Sequence, residues 1–470
     1  MTPFLSRDVG ISLVQQIVRL VQVKIDGKLL RTGVRMPSIR QFAELHGVSR
    51  FTVVEAYDRL VGLGFLESRR GSGFYVREGT FLRAATSPAD PVPTQLDVVW
   101  LLRSVFREVP CPDTPGSGMF PNEWLDSKLV SDALRAVSRQ SQATLLQYGH
   151  PQGFLPLRQQ LQVKLAEAGI GATPDQIVTT AGASQALDLV ARHFLQPGDT
   201  VFVDDPGWYI MFGTFALLGT RLIGIPRLAD GPDIARLAEM AVLHKPRLYV
   251  MSSVLHNPSS TSLSAAKAYQ VLRLADLHDF TVVEDDVHGD LYPGSRMQPA
   301  TRLAALDQLS RVIYLGSFSK TLAANLRVGF LVTTPDLARR LAERKLLESL
   351  TSSEIGERVV YKVLSEGHYR KHVDRLRSRL DLVRDRVLRQ IERIGMHVAI
   401  PPAAGLFVWV DTGCDTVALA ERAMEKGYLL APGALFSPSQ LPSTHMRINI
   451  ACMSDPRLLR WLEREIGATQ

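Results

Sequence analysis

Tyr314-Leu-Gly-Ser-Phe-Ser-Lys320-Thr-Leu-Ala-Ala-Asn-Leu-Arg327-Val-Gly-Phe330 is the stretch from which most of this 470-residue chain is read. An apolar run ends in small and hydroxyl residues, presents one lysine, and seven residues later presents an arginine before the next apolar run. Burial pushes a lysine toward its neutral, nucleophilic form, and serine hydroxyls with an arginine can hold a phosphate. The pattern fits a lysine held as a Schiff base. A strand end with one solvated lysine fits it equally well, so the rest of the chain decides.

Outward from this stretch, short apolar runs at 177–180, 201–203, 248–251, 281–283, 312–315 and 328–332 predict strands, most of them separated by helical segments. Helical periodicity covers 127–140 and 155–168. That alternation predicts an α/β domain with a largely parallel sheet, where ligands sit beyond the carboxyl ends of the strands. No G-x-G-x-x-G follows a strand, which leaves a dinucleotide site unsupported.

Chemistry-bearing residues fall where those strands end. Thr180-Ala-Gly-Ala183-Ser184-Gln185 runs into a helix, and its free N–H groups would cradle a phosphate. Trp208, in a Pro206-Gly207 turn shortly after Asp204, offers a ring to stack on an aromatic ligand. Asn257-Pro258 follows the run ending at Met251 and could hydrogen-bond a phenolic oxygen. Glu284-Asp285-Asp286 closes the next strand, where one carboxylate could pair with a protonated ring nitrogen. Each piece has an ordinary reading as strand end, core aromatic or turn. Their order is what chance does not supply: phosphate loop, stacking aromatic, Asn-Pro, acid, lysine, arginine.

Composition bounds the rest. The length calls for two or more domains. No apolar run is long enough to span a bilayer, and the N-terminus lacks the basic-then-apolar layout of a signal peptide, so no membrane partner and a cytoplasmic location are expected. Cys111, Cys414 and Cys452 are far apart and without metal-ligand spacing, which argues against a disulfide framework and a metal site. Residues 1–80 hold twelve Lys and Arg against seven Asp and Glu, so they carry five of the seven net positive charges. A small basic domain attached to a nearly neutral one points to a polyanion partner at the N-terminus.

Within those eighty residues, Ile11, Val14, Val18, Val21 and Ile25 share a helix face. Ser38 and Gln41 read as a capping box for a short helix burying Ile39, Phe42 and Ala43. After a turn at Gly47-Val48, Ser49 caps a helix with Val53, Ala56, Tyr57 and Leu60 inward and Arg50, Thr52, Glu55 and Arg59 outward. Residues 65–76 then read as a hairpin with a basic tip, Arg69-Arg70-Gly71-Ser72-Gly73. Helix, helix, helix and hairpin describe a winged helix-turn-helix, whose third helix suits a major groove. A proline-rich stretch, Ser87-Pro-Ala-Asp-Pro-Val-Pro93, follows as a linker, with an amphipathic segment at 96–106 and irregular text through Gly118. The expected domains are 1–80, a linker at 81–118, and 119–470.

Two resemblances rest on these residues. Gly33-Val-Arg-Met-Pro-Ser-Ile-Arg40, Gly47-Val-Ser-Arg-Phe-Thr-Val53, Ala56-Tyr57, Leu60 and Arg70-Gly-Ser-Gly73 resemble the winged helix of the GntR family of bacterial regulators. The resemblance implies contact with a double-stranded DNA operator by Arg35, Ser38 and Arg40, by Ser49, Arg50 and Thr52, and by Gly71, Ser72 and Gly73. The ordered set over about residues 119–466 resembles the fold type I pyridoxal 5'-phosphate aminotransferases. That implies an internal aldimine on Lys320, Asp285 at the pyridine nitrogen, Asn257 at the ring oxygen, and Trp208 on the ring. It also implies Ala183, Ser184, Ser317, Ser319 and Arg327 at the phosphate. Tyr148, in Gln147-Tyr-Gly-His-Pro-Gln-Gly153, matches a tyrosine reaching the neighbouring subunit's phosphate, and Arg447 matches the arginine that clamps a substrate carboxylate.

Three departures stand out: His288 where many members have a tyrosine, Ser259-Ser-Thr-Ser262 in place of Pro-Thr-Gly, and Ala403-Ala404-Gly405 in place of a double glycine. The whole chain resembles the MocR (GabR-like) regulators. The resemblance implies a cofactor-dependent transcription factor that senses an amino compound, or the cofactor itself, as a head-to-tail homodimer. A working aminotransferase with an appended DNA-binding domain is the alternative.

Overall fold

The computed structural model describes residues 12–26, 29–69, 72–77, 114–140, 146–293 and 300–467. Ile11, Arg70, Gly71, the 96–106 segment and Cys111 lie outside them. The chain divides into two compact units, Met1–Thr94 and Gln95–Gln470.

In the first unit, α1 (Leu13–Asp26), α2 (Ile39–His46) and α3 (Arg50–Gly62) precede a hairpin of β1 (Leu66–Arg69) and β2 (Gly73–Val76). The Ser38 hydroxyl accepts from Gln41 N at 3.2 Å while the Gln41 side chain accepts from Ser38 N at 3.1 Å, the reciprocal box that its spacing predicts. Gly47 ends α2 with φ +64°, and Ser49 starts α3 by accepting from Thr52 N at 3.0 Å. The core joins Val18, Val21 and Ile25 to Phe42, Val53, Ala56, Tyr57, Leu60, Leu66 and Val76. Ile17, fully buried, belongs to the same face of α1, because a 3.6-residue period sets 17, 18, 21 and 25 side by side.

The second unit is built on an eight-stranded sheet of β3 (Ile177–Thr180), β4 (Thr200–Asp205), β5 (Arg221–Leu228), β6 (Gly231–Pro232), β7 (Leu248–Met251), β8 (Thr281–Asp285), β9 (Val312–Ser317) and β10 (Gly329–Val332). Their spatial order is β3-β10-β9-β8-β7-β4-β5-β6. The run β9-β8-β7-β4-β5 is parallel, while β10 lies antiparallel between β3 and β9. Alternate strand residues feed two cores. Val178, Val203, Val250, Val283 and Ile313 pack on one face, and Phe202, Tyr249, Val282, Tyr314 and Phe330 on the other. Burial on both faces explains why these strands read as continuous apolar runs.

Two reversals of direction around β10 make β3 run parallel to β9. The carboxyl ends of β3, β4, β7, β8 and β9 therefore share one edge with the start of β10. A smaller antiparallel sheet, ordered β11-β13-β12, follows from β11 (Phe407–Asp411), β12 (Ala431–Pro432) and β13 (His445–Asn449). Helices His368–Arg393, Thr416–Glu425 and Pro456–Gly467 supply its third core.

Candidate functional site

The lysine of the opening stretch lies just past β9 at the shared edge. Burial, with Arg447 beside it and against the pull of Asp285, brings the Lys320 ammonium down to about 8. Its Nζ reaches Met119 Sδ at 3.4 Å, and a Cβ on Gly118 would sit 3.5 Å from that Nζ.

Of the three acids ending β8, the period of two sends only Asp285 toward this lysine. Glu284 is fully buried and accepts from Leu303 N and Ala304 N, both at 2.8 Å. Asp286 accepts from Arg302 Nε at 2.6 Å and from the Tyr314 hydroxyl at 2.7 Å. Asp285 accepts from Val287 N at 3.2 Å, and burial pushes its carboxyl up to about 6. It is therefore a carboxylate at neutral pH.

Arg447 is 1% exposed and is held from β13 by two acceptors, Asn257 Oδ1 at 2.9 Å and Gly116 O at 2.6 Å. Its guanidinium lies 4.4 Å from the Phe407 ring centre and 5.0 Å from that of Phe436, while its Nε is buried without a partner. His288 also faces Lys320 and Arg447. Burial, then those two cations, brings its imidazole down to about 3, and its buried Nε2 has no partner.

A second cluster lies where β3 and β9 end. The Ser317 and Ser319 hydroxyls are 3.1 Å apart, and Arg327 donates to Ser319 Oγ at 3.4 Å and to Ala181 O at 2.6 Å. Ala183 and Ser184 open the helix Ala183–Phe194 behind Gly182, whose φ is +86°. A Cβ on Gly182 would come within 2.5 Å of the Arg327 guanidinium, and one on Gly329 within 2.6 Å of the Gly182 backbone. Two hydroxyls, one guanidinium and a helix N-terminus thus converge on a cup that only glycine leaves open.

Trp208 begins the helix Tyr209–Leu217, half-buried, and lines a small cavity together with Asp285, Asp204 and His256. The departures in sequence touch one another. Ser260 donates to Phe407 O at 2.9 Å, and a Cβ on Gly405 would lie 2.8 Å from Ser260 Oγ. Ser259 Oγ meets His256 Nδ1 at 2.8 Å. Serines in place of Pro-Thr-Gly thus close this corner with hydrogen bonds.

Tyr148 is not brought to the site within one chain: it is 80% exposed. Its segment is anchored behind the cup, where Glu357 accepts from Phe154 N and Thr179 Oγ1, both at 2.6 Å, and the buried Lys345 donates to Thr179 O at 2.8 Å.

Sequence reading missed the 114–118 segment, taken there as the linker's end. Asn449 N donates to Pro115 O at 2.7 Å, Gly116 N donates to Leu429 O at 2.8 Å, and Gly116 and Gly118 bring backbone against Arg447 and Lys320. The glycine pair flanking Ser117 was the available signal. The buried pair of Asp204 with Arg227, 3.1 Å apart, was also missed, since Arg227 sits in a strand that carries no period.

In the first unit, Arg40, Ser49 and Arg50 are exposed around the junction of α2 and α3. Arg40 pairs with Glu44 at 3.0 Å. The Ser38, Ser49 and Thr52 hydroxyls serve the caps. Arg35 lies against the wing, where a Cβ on Gly73 would be 3.5 Å from its Nε, and Ser72 Oγ meets the Tyr75 hydroxyl at 2.6 Å.

The family model for aminotransferase class I and II matches residues 116–464. The chain belongs to that family. The model for bacterial regulatory proteins of the gntR family matches residues 13–76. Two relatives carry both parts. The HTH-type transcriptional regulator YdfD of Bacillus subtilis, named as uncharacterized, is 28% identical over 94% of this chain and 92% of its own length. The probable rhizopine catabolism regulatory protein MocR of Rhizobium meliloti is 28% identical over 92% of this chain and 88% of its own length. The kynurenine aminotransferase of Pyrococcus horikoshii, crystallised with PMP, superposes with a TM-score of 0.71 at 29% identity, over 80% of this chain and 94% of that one.

The architecture is that of the MocR/GabR-type regulators, a gntR-family DNA-binding domain ahead of a class I and II aminotransferase domain, and the cofactor of that domain is pyridoxal 5'-phosphate. The site fits such a group. The glycine-lined cup suits its phosphate, Lys320 and Asp285 suit its reactive carbon and ring nitrogen, and the orphaned His288 Nε2 and Arg447 Nε await polar partners.

Proposed function

We propose that this transcriptional regulator senses an amino compound, or pyridoxal 5'-phosphate itself, at Lys320, and that its operator binding answers to that event. The observation that carries the reading is the convergence of Lys320, Asp285, Asn257 and Arg447 at one sheet edge, in a chain whose other unit is a winged helix. When bound, the cofactor supplies a carbon electrophilic toward amines and a ring that withdraws electrons.

The residues have separable tasks. Lys320, brought near neutrality by burial, supplies the amine that holds the cofactor. Asp285, ionised at neutral pH, pairs with a protonated ring nitrogen, Asn257 bonds the ring oxygen, and Trp208 covers the ring. His288, neutral at that pH, offers Nε2 to the same oxygen in place of the usual tyrosine. Ala183, Ser184, Ser317, Ser319 and Arg327 take the phosphate, joined by Tyr148 of a second copy in a head-to-tail dimer. Arg447 takes the carboxylate of an amino-acid ligand as a bidentate pair on its unpartnered Nε and one terminal nitrogen, in exchange for one of its two protein acceptors. At the other end Arg35, Ser38, Arg40, Ser49, Arg50, Thr52, Gly71, Ser72 and Gly73 meet the operator, two winged helices to two half-sites. The compartment is cytoplasmic, where that DNA is.

The same four residues favour one other reading, a working aminotransferase. Steady-state assay of the full chain with an amino acid and 2-oxoglutarate separates the two. The regulator reading expects a visible absorbance band that borohydride removes, with slow or absent turnover. Sustained conversion at ordinary enzyme rates, roughly 1–1000 per second, would displace it.

A further inference from the structure

A cleft of about 1030 Å³ opens beside the helices Leu155–Glu167 and His368–Arg393 and the turn Gly289–Leu291. None of Lys320, Asp285, Asn257 or Arg447 lines it. Its wall carries four cations, Lys164, Arg302, Arg370 and Arg377, against two acids, Asp290 and Glu167. Asp290 is already engaged: one carboxylate oxygen pairs with Lys164 and the other accepts from the Tyr369 hydroxyl. Arg302 gives Nε to Asp286 at 2.6 Å, and its two terminal nitrogens have no hydrogen-bond partner among the described residues. Arg377 is held by Asp290 O and Asp374, both at 2.9 Å, and Arg370 is exposed. Guanidinium forks gathered on one concave wall match the oxygen pairs of carboxylates and phosphates.

The wall also leads inward. The Tyr369 hydroxyl that holds Asp290 lies 2.6 Å from Thr321 Oγ1, and Thr321, fully buried, follows Lys320 in the chain. We propose that this cleft is a second ligand site for a small dianion, a phosphate monoester or a dicarboxylate, and that its occupancy is felt at Lys320 through Asp290, Tyr369 and Thr321. The second half rests on the cofactor reading of Lys320.

Titration calorimetry of the cofactor-loaded full chain, at fixed ionic strength, tests it with inorganic phosphate and succinate as separate probes. Saturable binding of one probe per chain, weakened about tenfold or more by Arg370→Glu, is expected. Phosphate alone behaving so assigns a phosphate ester, and succinate alone a dicarboxylate. Succinate binding untouched by Arg370→Glu belongs to Arg447 and counts against a dicarboxylate in the cleft. Absence of saturable binding, or binding of both probes unchanged by the substitution, overturns the site. The visible cofactor band, retained in Arg370→Glu, shows separately that the Lys320 site is intact. Tyr369→Phe keeps the binding and loses any shift of that band on adding the probe; an undiminished shift overturns the connection.

Discussion

On the proposed function Lys320 would carry the chemistry, and its surroundings disfavour the ammonium. Burial and Arg447 outweigh Asp285, and the pKa falls from the ordinary 10.5 to about 8. The neutral amine, which alone attacks a carbonyl carbon, is thus available at lower pH than on a solvated lysine. Cofactor uptake by stripped protein should speed up as pH rises from 7 through about 8 and level off above. A rate flat from pH 7 to 9.5, followed by absorbance in stopped flow, would contradict the assignment. Lys320→Ala should erase the visible band and leave the melting temperature within a few degrees, since it removes one amine from a pocket built by other residues.

Some of these residues were legible and others were not, for physical reasons. Within Glu284-Asp285-Asp286 the residues alone left the acid open and the resemblance singled out Asp285; the structure turns its neighbours to Leu303 N and to Arg302. The glycine pair at Gly116 and Gly118 marked a close approach without saying to what, and Arg227 carried no mark at all. Each matters through a partner hundreds or tens of residues distant, Arg447 and Asp204, and no local pattern names such a partner.

Elements with strong local signals were read close to their observed bounds. The helix predicted at 155–168 spans Leu155–Glu167, and the capping box of α2 forms as spaced. Strands with weak patterns escaped. β5 mixes Gly224 and Pro226 into a half-buried strand, and β12 has two residues. Ser38→Ala should destabilise the winged helix by about 1 kcal/mol, because Gln41 N loses its side-chain acceptor at the start of α2. The first thermal transition of the full chain measures it.

Gly153 tests the anchor of the Tyr148 segment. Its φ is +109°, and a Cβ there would lie 1.9 Å from Thr179 Oγ1. Gly153→Ala should cost roughly 2–4 kcal/mol through strain and overpacking. If the segment positions Tyr148 for a second copy, the variant should also hold the cofactor more weakly, read by absorbance during dialysis. Full stability with full retention would remove the anchor from the site.

At the scale of the whole molecule, charge and fold divide together. The unit holding the winged helix carries most of the net positive charge, and the larger unit, nearly neutral, holds the buried amine. Both resemblances were legible because each rests on several motifs in a fixed order, whereas the effector and the operator leave no such mark on this chain. Arg50→Ala should weaken operator binding while the visible band stays unchanged, since Arg50 is exposed on α3 in the other unit. Unaltered operator affinity in a gel-shift titration at fixed salt would take Arg50 off the interface.

The most direct measurement is operator footprinting of the full chain, loaded with pyridoxal 5'-phosphate, across a panel of primary amines and amino acids, in parallel with Lys320→Ala. At least one compound should change the affinity or the footprint of the parent protein, and the same compound should leave Lys320→Ala unmoved. An equal response in Lys320→Ala would contradict sensing at Lys320.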